Sequence, residues 1–365
     1  MRPTKHVVSI SSGIDSDTTL NIALERCPRD SVIPIFCDTG NEHQAVYDHL
    51  AYLEQALDIQ VVRLKADFAD EFPRKRMFIA RDQRAGREYD TVLVFDSEGN
   101  PVPKRDGHGN IVTRKVKRDG VEIDEAVQKT KKVGGGRRLR WSNKAKRRAL
   151  AALHPSANPF LDLCMLKGRF PSRKAQFCTE RLKRDMAVAF QIDLIDAGYN
   201  VISWQGVRRD ESHNRRNARK IERIGPNIWA FRPVVAWNKL ECFDYSAQLG
   251  IQPNPLYRQG MNRVGCMPCI NARKDEVREI SVRFPDHLVR IGEWERVVSQ
   301  CSKRGFSTFF HKTDGLTGSP ATIFSRSKID EVIEWAKTSR GGRQYDLLAH
   351  VSEPMACASA YGLCA

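Results

Sequence analysis

No apolar run in this 365-residue sequence approaches the roughly 20 residues that cross a bilayer, so no membrane partner is expected. Met1-Arg2-Pro3-Thr4-Lys5-His6 leads straight into a strand pattern, without the apolar region of a signal peptide, and the protein is expected in the cytoplasm. No Gly-Lys-Ser/Thr triplet occurs, which excludes a Walker A loop. No internal repeat is evident, which argues against a solenoid or propeller. Hydrophobic residues are slightly scarce at 41% and charged ones slightly abundant at 28%. A chain of this length can still bury a core, as one large domain or two ordinary ones, with part of it left as a solvated, charged attachment.

What is present is unevenly spread. The formal charge is +16, and Lys104 to Arg148 carries +11 of it, with sixteen Lys and Arg against five Asp and Glu. Such a block attracts polyanions by counterion release, nucleic acid among them; the alternative is a solvated loop without a partner. There are ten cysteines. In a long chain expected in a reducing compartment, clustered cysteines point to metal binding or thiol chemistry before disulfides.

The chain opens as alternating strands and helices. His6 to Ile10 reads as a buried strand, Asp17 to Glu25 as a helix, Val32 to Cys37 as a strand, His43 to Ala56 as a helix and Ile59 to Leu64 as a strand. This rhythm predicts an α/β fold, a parallel sheet with helices on both faces. It stops near Pro73. Residues 74–155 read as a basic insertion with small hairpins, and the sheet resumes with a strand over Tyr199 to Trp204. The expected organisation is one discontinuous α/β domain, 1–73 with 156–275, interrupted by the insertion and followed by a mainly helical region over 276–365.

Four local patterns carry chemistry. Ser11-Ser12-Gly13-Ile14-Asp15-Ser16 lies between strand and helix, where small residues and the helix dipole favour a phosphate; an ordinary capped turn is the alternative. Asp38-Thr39-Gly40 ends the next strand, on the edge of the sheet where α/β proteins bind ligands. Gly206-Val207-Arg208-Arg209-Asp210-Glu211-Ser212, with Arg216 after it, follows another strand and offers arginines to an anion. Cys266-Met267-Pro268-Cys269 pairs two thiols at a spacing shared by redox pairs, zinc sites and iron–sulfur sites, and Cys178 precedes a Leu-Lys.

Taken in order, these patterns resemble the phosphoadenosine-phosphosulfate (PAPS) reductase family of the PP-loop, adenine nucleotide alpha hydrolase-like fold, and especially its large basic members from phage and prophage genomes. The resemblance covers residues 5–65 and 177–275, and is most specific from Arg232-Pro233 through Asn254-Pro255-Leu256-Tyr257 to Cys269. It implies that Ser11, Ser12, Gly13, Asp15 and Ser16 hold phosphate or sulfate. Asp38, Thr39 and Gly40 would border the nucleotide, and Arg208 and Arg216 would neutralise its anion. It also implies that Cys178, Cys266 and Cys269 ligate a [4Fe–4S] cluster, with zinc as the alternative. Phe177 stands where the family's cluster-bearing members have a fourth ligand, so Cys164, Cys301, Cys357 or Cys364 would complete the set, or one iron would stay open.

The implied reaction is reduction of an adenylated sulfate, PAPS or adenylylsulfate, to sulfite. Cys364 would be the nucleophile and a thioredoxin-type protein the reductant. Ile14 agrees with this, because ATP-using relatives of the fold usually carry Lys there. Asp15-Ser16 keeps open the alternative of an ATP- and Mg²⁺-dependent sulfurtransferase acting on nucleic acid held by Lys104 to Arg148.

Overall fold

The computed structural model describes residues 2–118, 121–310 and 318–338. They divide into two compact units, one drawn from 1–76 and 148–365, the other from 77–147. In chain order, the first unit opens with strand β1 (Thr4–Ile10), helix α1 (Ile14–Arg26), β2 (Val32–Asp38), α2 (Gln44–Leu57) and β3 (Val62–Lys65). Helix α3 (Glu71–Ala80) starts before the boundary and runs past it. The rhythm therefore runs on through Pro73 to Ala80 before it stops. The proline is the third residue of α3, in the first turn, where its missing N–H is not needed.

The second unit contains β4 (Arg87–Leu93), β5 (Thr113–Arg118), β6 (Val121–Ala126) and β7 (Thr130–Arg138). β4 pairs with β7 and β5 with β6, both antiparallel. Two turns between β4 and β5 are built alike, ten residues apart. The Asp96 carboxylate accepts from the N–H groups of Glu98 and Asn100, and that of Asp106 from those of His108 and Asn110. Gly99 and Gly109 supply the left-handed backbone, at φ of 83° and 86°. This is a short internal repeat, contrary to the expectation of none. It is too brief to register as a repeat architecture.

Helix α4 (Asn143–Ala152) spans the second boundary, and the first unit resumes. It holds α5 (Pro159–Lys167), α6 (Asp185–Asp196), β8 (Asn200–Gln205), β9 (Ile221–Gly225), β10 (Ile228–Phe231) and α7 (Lys239–Gln248). Last come α8 (Lys274–Arg283), α9 (Pro285–Cys301), α10 (Pro320–Ser325) and α11 (Ile329–Lys337). Local chemistry fixes many of these ends. The Asn158 side chain caps α5 ahead of Pro159, and Gly168, at φ 63°, closes it. Asn238 and Glu241 form a reciprocal capping box at the start of α7.

The sheet runs β3-β2-β1-β8-β10-β9. All neighbours are parallel except β9, which pairs antiparallel with β10 as an edge hairpin that the sequence reading missed. Val7, Ile35, Cys37 and Val201 are buried on the face that α6 covers. The alternate residues Val8 and Phe36 are buried on the other face, where α1 crosses β1, β2 and β8. The fold is thus α/β with helices on both faces. The strand order reverses between β1 and β8, so the loops after these two strands diverge and leave a crevice at the carboxyl edge. A second core of Phe160, Phe170, Trp294 and Phe309 joins α5 to α9. No helix among the described residues is long and apolar enough to cross a membrane.

Candidate functional site

The loop from β1 to α1 sits at the reversal of strand order. Gly13 caps α1 with extended backbone, and Ser12 adopts a left-handed φ of 63°. The Ser12 hydroxyl donates to the Val46 carbonyl oxygen at 3.1 Å and the residue is fully buried, so its side chain is spent within the protein. The Ser16 hydroxyl accepts from the Ser11 N–H at 3.1 Å and donates to the Gly13 carbonyl at 2.8 Å, drawing the loop tight. The Ile14 N–H, one of the unpaired donors of the first helical turn, donates to the Tyr257 hydroxyl oxygen at 3.0 Å.

Gly206, just past β8, closes against this turn. A β-carbon there would lie 2.8 Å from the Asp15 carbonyl and the Ser16 nitrogen, which explains the glycine. Two residues on, the Arg208 Nε donates to Asp15 Oδ1 at 2.8 Å, with both side chains about nine-tenths buried. Its Nη1 donates to both Asp210 oxygens at 2.6 Å. Burial pushes the Asp15 carboxyl up to about 6, although Arg208 opposes this. Arg208 is therefore a partner of carboxylates in this structure, with its charge already answered. Arg216 is exposed and lines a second cleft with Arg209, Asp210, His213 and Arg273.

The loop after β2 faces the thiols. Asp38 Oδ1 accepts from the Gly40 N–H and the Tyr47 hydroxyl. Thr39 is bound to Glu42 through both its hydroxyl and its N–H. The Cys266 turn is clamped to the same loop. The Met267 N–H donates to the Asn41 carbonyl, Asn41 Nδ2 donates to the Pro268 carbonyl, and Arg290 donates to both Asn41 Oδ1 and the Met267 carbonyl. Cys266 Sγ lies 3.6 Å from Thr39 Oγ1 and 3.6 Å from a Glu42 oxygen.

Cys178 opens a helical stretch whose next six residues, Thr179–Arg184, are π-helical, a widened geometry that recurs at functional sites. It brings in Lys183. Burial alone would lower the Lys183 ammonium, but Cys266, Glu42, Cys269 and Cys178 around it raise it. Burial pushes the Cys178 thiol up to about 11, with Cys269 adding to the shift. Burial pushes Cys266 up to about 12, against Lys183. Cys269, Glu276, Cys266 and Glu211 together raise the Arg263 guanidinium against the effect of burial. Cys164, buried on α5, is raised by burial and then by the neighbouring Cys178. Cys301 is buried near Arg148. Cys357 and Cys364 lie outside the described residues. Among the described residues, no group of three or more His, Cys, Asp or Glu converges to hold a metal ion.

A small cavity joins the parts. It is lined by Ser9, Ser11, Ser16, Glu42, Lys183 and Gly206, among others. The Ser9 hydroxyl at its wall is buried without a hydrogen-bond partner. The structure thus brings Ser11, Ser16 and Glu42 together around Lys183, which in turn sits among the cysteines, while Arg216 lines a different cleft. The sequence reading assigned no role to Lys183, Glu42 or Tyr257. Lys183 stood in the Leu-Lys after Cys178, and Tyr257 in Asn-Pro-Leu-Tyr, but neither pattern says where the side chain ends. The Lys104 to Arg148 block lies largely in the second unit, where Lys115, Lys117, Lys131 and Lys132 are exposed on its strands.

Comparison with known proteins adds four likenesses. Residues 124–272 match the phosphoadenosine phosphosulfate reductase domain family. The chain is 39% identical over 378 residues to an uncharacterized 37.8 kDa protein in the gpa 5′ region of Escherichia phage 186, covering 99% of this chain and 97% of that one. It is 36% identical over 61 residues to an NH3-dependent NAD+ synthetase of Thermoplasma acidophilum, covering 17% of this chain and 25% of that one. A crystal structure of phosphoadenylyl-sulfate (PAPS) reductase from Candida auris, in a phosphate complex, aligns over 73% of this chain and 82% of that one, with a TM-score of 0.36 and 12% identity.

Proposed function

This chain belongs to the phosphoadenosine phosphosulfate reductase family, with a phage protein as a relative over nearly its whole length, and we propose that it binds an adenylated sulfate and reduces it to sulfite. The observation that carries the reading is a cavity lined by Ser11, Ser16, Glu42, Lys183 and Gly265, with Lys183 in turn among the thiols of Cys178, Cys266 and Cys269. The match to a NAD+ synthetase also supports a nucleotide ligand.

In this reaction a thiolate attacks the sulfur of PAPS or adenylylsulfate. A sulfur–sulfur bond forms, the bond from sulfur to the bridging oxygen breaks, and the nucleotide leaves with the electron pair on its phosphate. A dithiol of thioredoxin type then reduces the enzyme S-sulfonate, ends as a disulfide and releases sulfite. Cys364 is the candidate thiol. The loop N–H groups and Ser11 would hold the anionic end of the nucleotide, and Lys183 would balance charge beside the cysteines.

Cys178, Cys266 and Cys269 are the candidate ligands of a [4Fe–4S] cluster, with Cys164, beside Cys178, as the candidate fourth. The donor set fits in kind. Thiolates bind the irons of a cluster and a zinc ion alike, so zinc is the alternative occupant of the same cysteines. When bound with one iron lacking a protein thiolate, a cluster supplies a coordination position for a substrate atom. The cytoplasm is the proposed location.

The alternative is an ATP-dependent sulfurtransferase acting on nucleic acid, which the exposed lysines of the second unit favour. Against it, position 14 is Ile where ATP-using relatives of the fold usually carry Lys, and Asp15 is already paired with Arg208. The test is anaerobic protein offered PAPS or adenylylsulfate with a dithiol, and separately ATP, Mg²⁺ and nucleic acid. Sulfite release in the first assay alone is expected. Pyrophosphate or AMP release that depends on nucleic acid would overturn the reading. Brown absorbance with bound iron is the expected sign of the cluster, and a colourless, iron-free protein refutes it.

A further inference from the structure

The Ser11–Ser16 loop carries no cationic side chain, and position 14 holds an isoleucine that is 2% exposed. Arg208, the cation that the sequence points to, is taken by Asp15 and Asp210. A different lysine stands at the loop. Lys239, the first residue of α7, has its ammonium 4.9 Å from the centre of the Tyr257 ring and 5.8 Å from that of Phe243. The hydroxyl of the same Tyr257 receives the Ile14 N–H. The Nζ donates one hydrogen bond, to the Asn262 carbonyl oxygen at 2.6 Å, and Lys239 forms no ion pair among the described residues.

The placement is rigid. The capping box of Asn238 and Glu241 sets the first turn of α7, and Thr18 of α1 donates to the Cys242 carbonyl at 3.1 Å, pinning α7 to α1. Burial lowers the Lys239 ammonium, with Asp15 opposing and Arg208 adding to the shift. An ammonium has three donors, and this one spends one on a neutral carbonyl and rests on two ring faces. A half-buried ammonium with no carboxylate in ion-pair contact, near the N-terminus of α1, is suited to an anion.

We propose that Lys239 is the phosphate- or sulfate-binding cation of this loop, acting from α7 on the anionic end of the nucleotide beside the Tyr257 hydroxyl, whose oxygen takes the Ile14 N–H and whose hydrogen stays available to an anion. The proposal rests on the nucleotide reading and sharpens it. The preferred ligand carries at least two linked anionic groups on its 5′ side, as in a diphosphate or a phosphosulfate, and a nucleoside gains nothing from Lys239.

The test is calorimetric titration of the full chain and of K239M and K239R with inorganic pyrophosphate, ATP and adenosine, with thermal melting in parallel. K239M is expected to weaken pyrophosphate and ATP about tenfold or more and adenosine less than about twofold, with K239R recovering most of the loss. Equal weakening of all three ligands, or unchanged pyrophosphate affinity, overturns the assignment and leaves Lys239 as a packing residue on Tyr257. Should K239M fail to fold, K239Q carries the same comparison, because it keeps a donor for the Asn262 carbonyl. Wild-type protein that binds neither pyrophosphate nor ATP overturns the nucleotide reading itself, and Lys239 with it.

Discussion

Replacing Arg208 with methionine removes the guanidinium from a buried carboxylate. Asp15 and Arg208 are 2.8 Å apart with side chains 8% and 7% exposed, so Asp15 loses its partner where water cannot replace it. Breaking such a pair costs about 3–5 kcal/mol. Asp210, which also pairs with Arg208, is 46% exposed and is rehydrated at little cost. The loss at pH 7 therefore falls on Asp15, and pH tests this. In the wild type the folded Asp15 titrates at about 6, above the usual carboxyl range. The folded state binds this proton before the unfolded state does, so the group adds stability as pH falls through 6 toward about 4.

Without Arg208, which holds it down, the folded pKa rises further, so as pH falls from 7 to 5 the variant begins to gain at a higher pH than the wild type does. The deficit of R208M should shrink by up to about 1.4 kcal/mol between those pH values, one pH unit of linkage. Urea denaturation at pH 7 and pH 5 measures it. D15N/R208M, which leaves no charge to bury, should recover most of the loss at pH 7 and show no such pH dependence. A deficit equal at both pH values, or a double variant no more stable than R208M, would refute the reasoning.

Gly206→Ala should lower stability by about 1–3 kcal/mol and abolish nucleotide binding, because its β-carbon would meet the Asp15 and Ser16 backbone at 2.8 Å; a melt combined with a titration reads both, and wild-type behaviour in either counts against the close approach. Glu295 accepts from the Phe309 and Ile329 N–H groups at 2.8 and 3.1 Å, and burial pushes its carboxyl up to about 7. Its folded pKa lies above the unfolded value, so the wild type should gain about 1–3 kcal/mol on Glu295→Gln as pH falls from 8 to 5, and parallel denaturation profiles would disprove the shift.

By itself the sequence determined what is local. The alternation of β1, α1, β2, α2 and β3 was readable because buried strands and amphipathic helices impose different periods over a few residues. The serine loop, the Asp-Thr-Gly turn and the Cys-x-x-Cys turn were readable because their small residues and thiols have few other uses at such spacings. Edge hairpin β9–β10 was not, since its short strands carry Arg223, Glu222 and Gly225 on an exposed edge that no period marks. Ser12 illustrates the same limit. Its hydroxyl looks like a phosphate donor in sequence and is spent on Val46, because α2 folds back behind the loop.

Only the tertiary structure decided which charges meet. Arg208 lies 193 positions from Asp15 and answers it, so the cation that the sequence offers to a ligand is already paired. Lys183 is brought to the cysteines by a π-helical turn, and Lys239 to Tyr257 and the loop by the packing of α7 on α1. A side chain's charge and length are written in the sequence. Its partner is chosen by the return path of the chain, and in this fold that path runs through the reversal of strand order between β1 and β8.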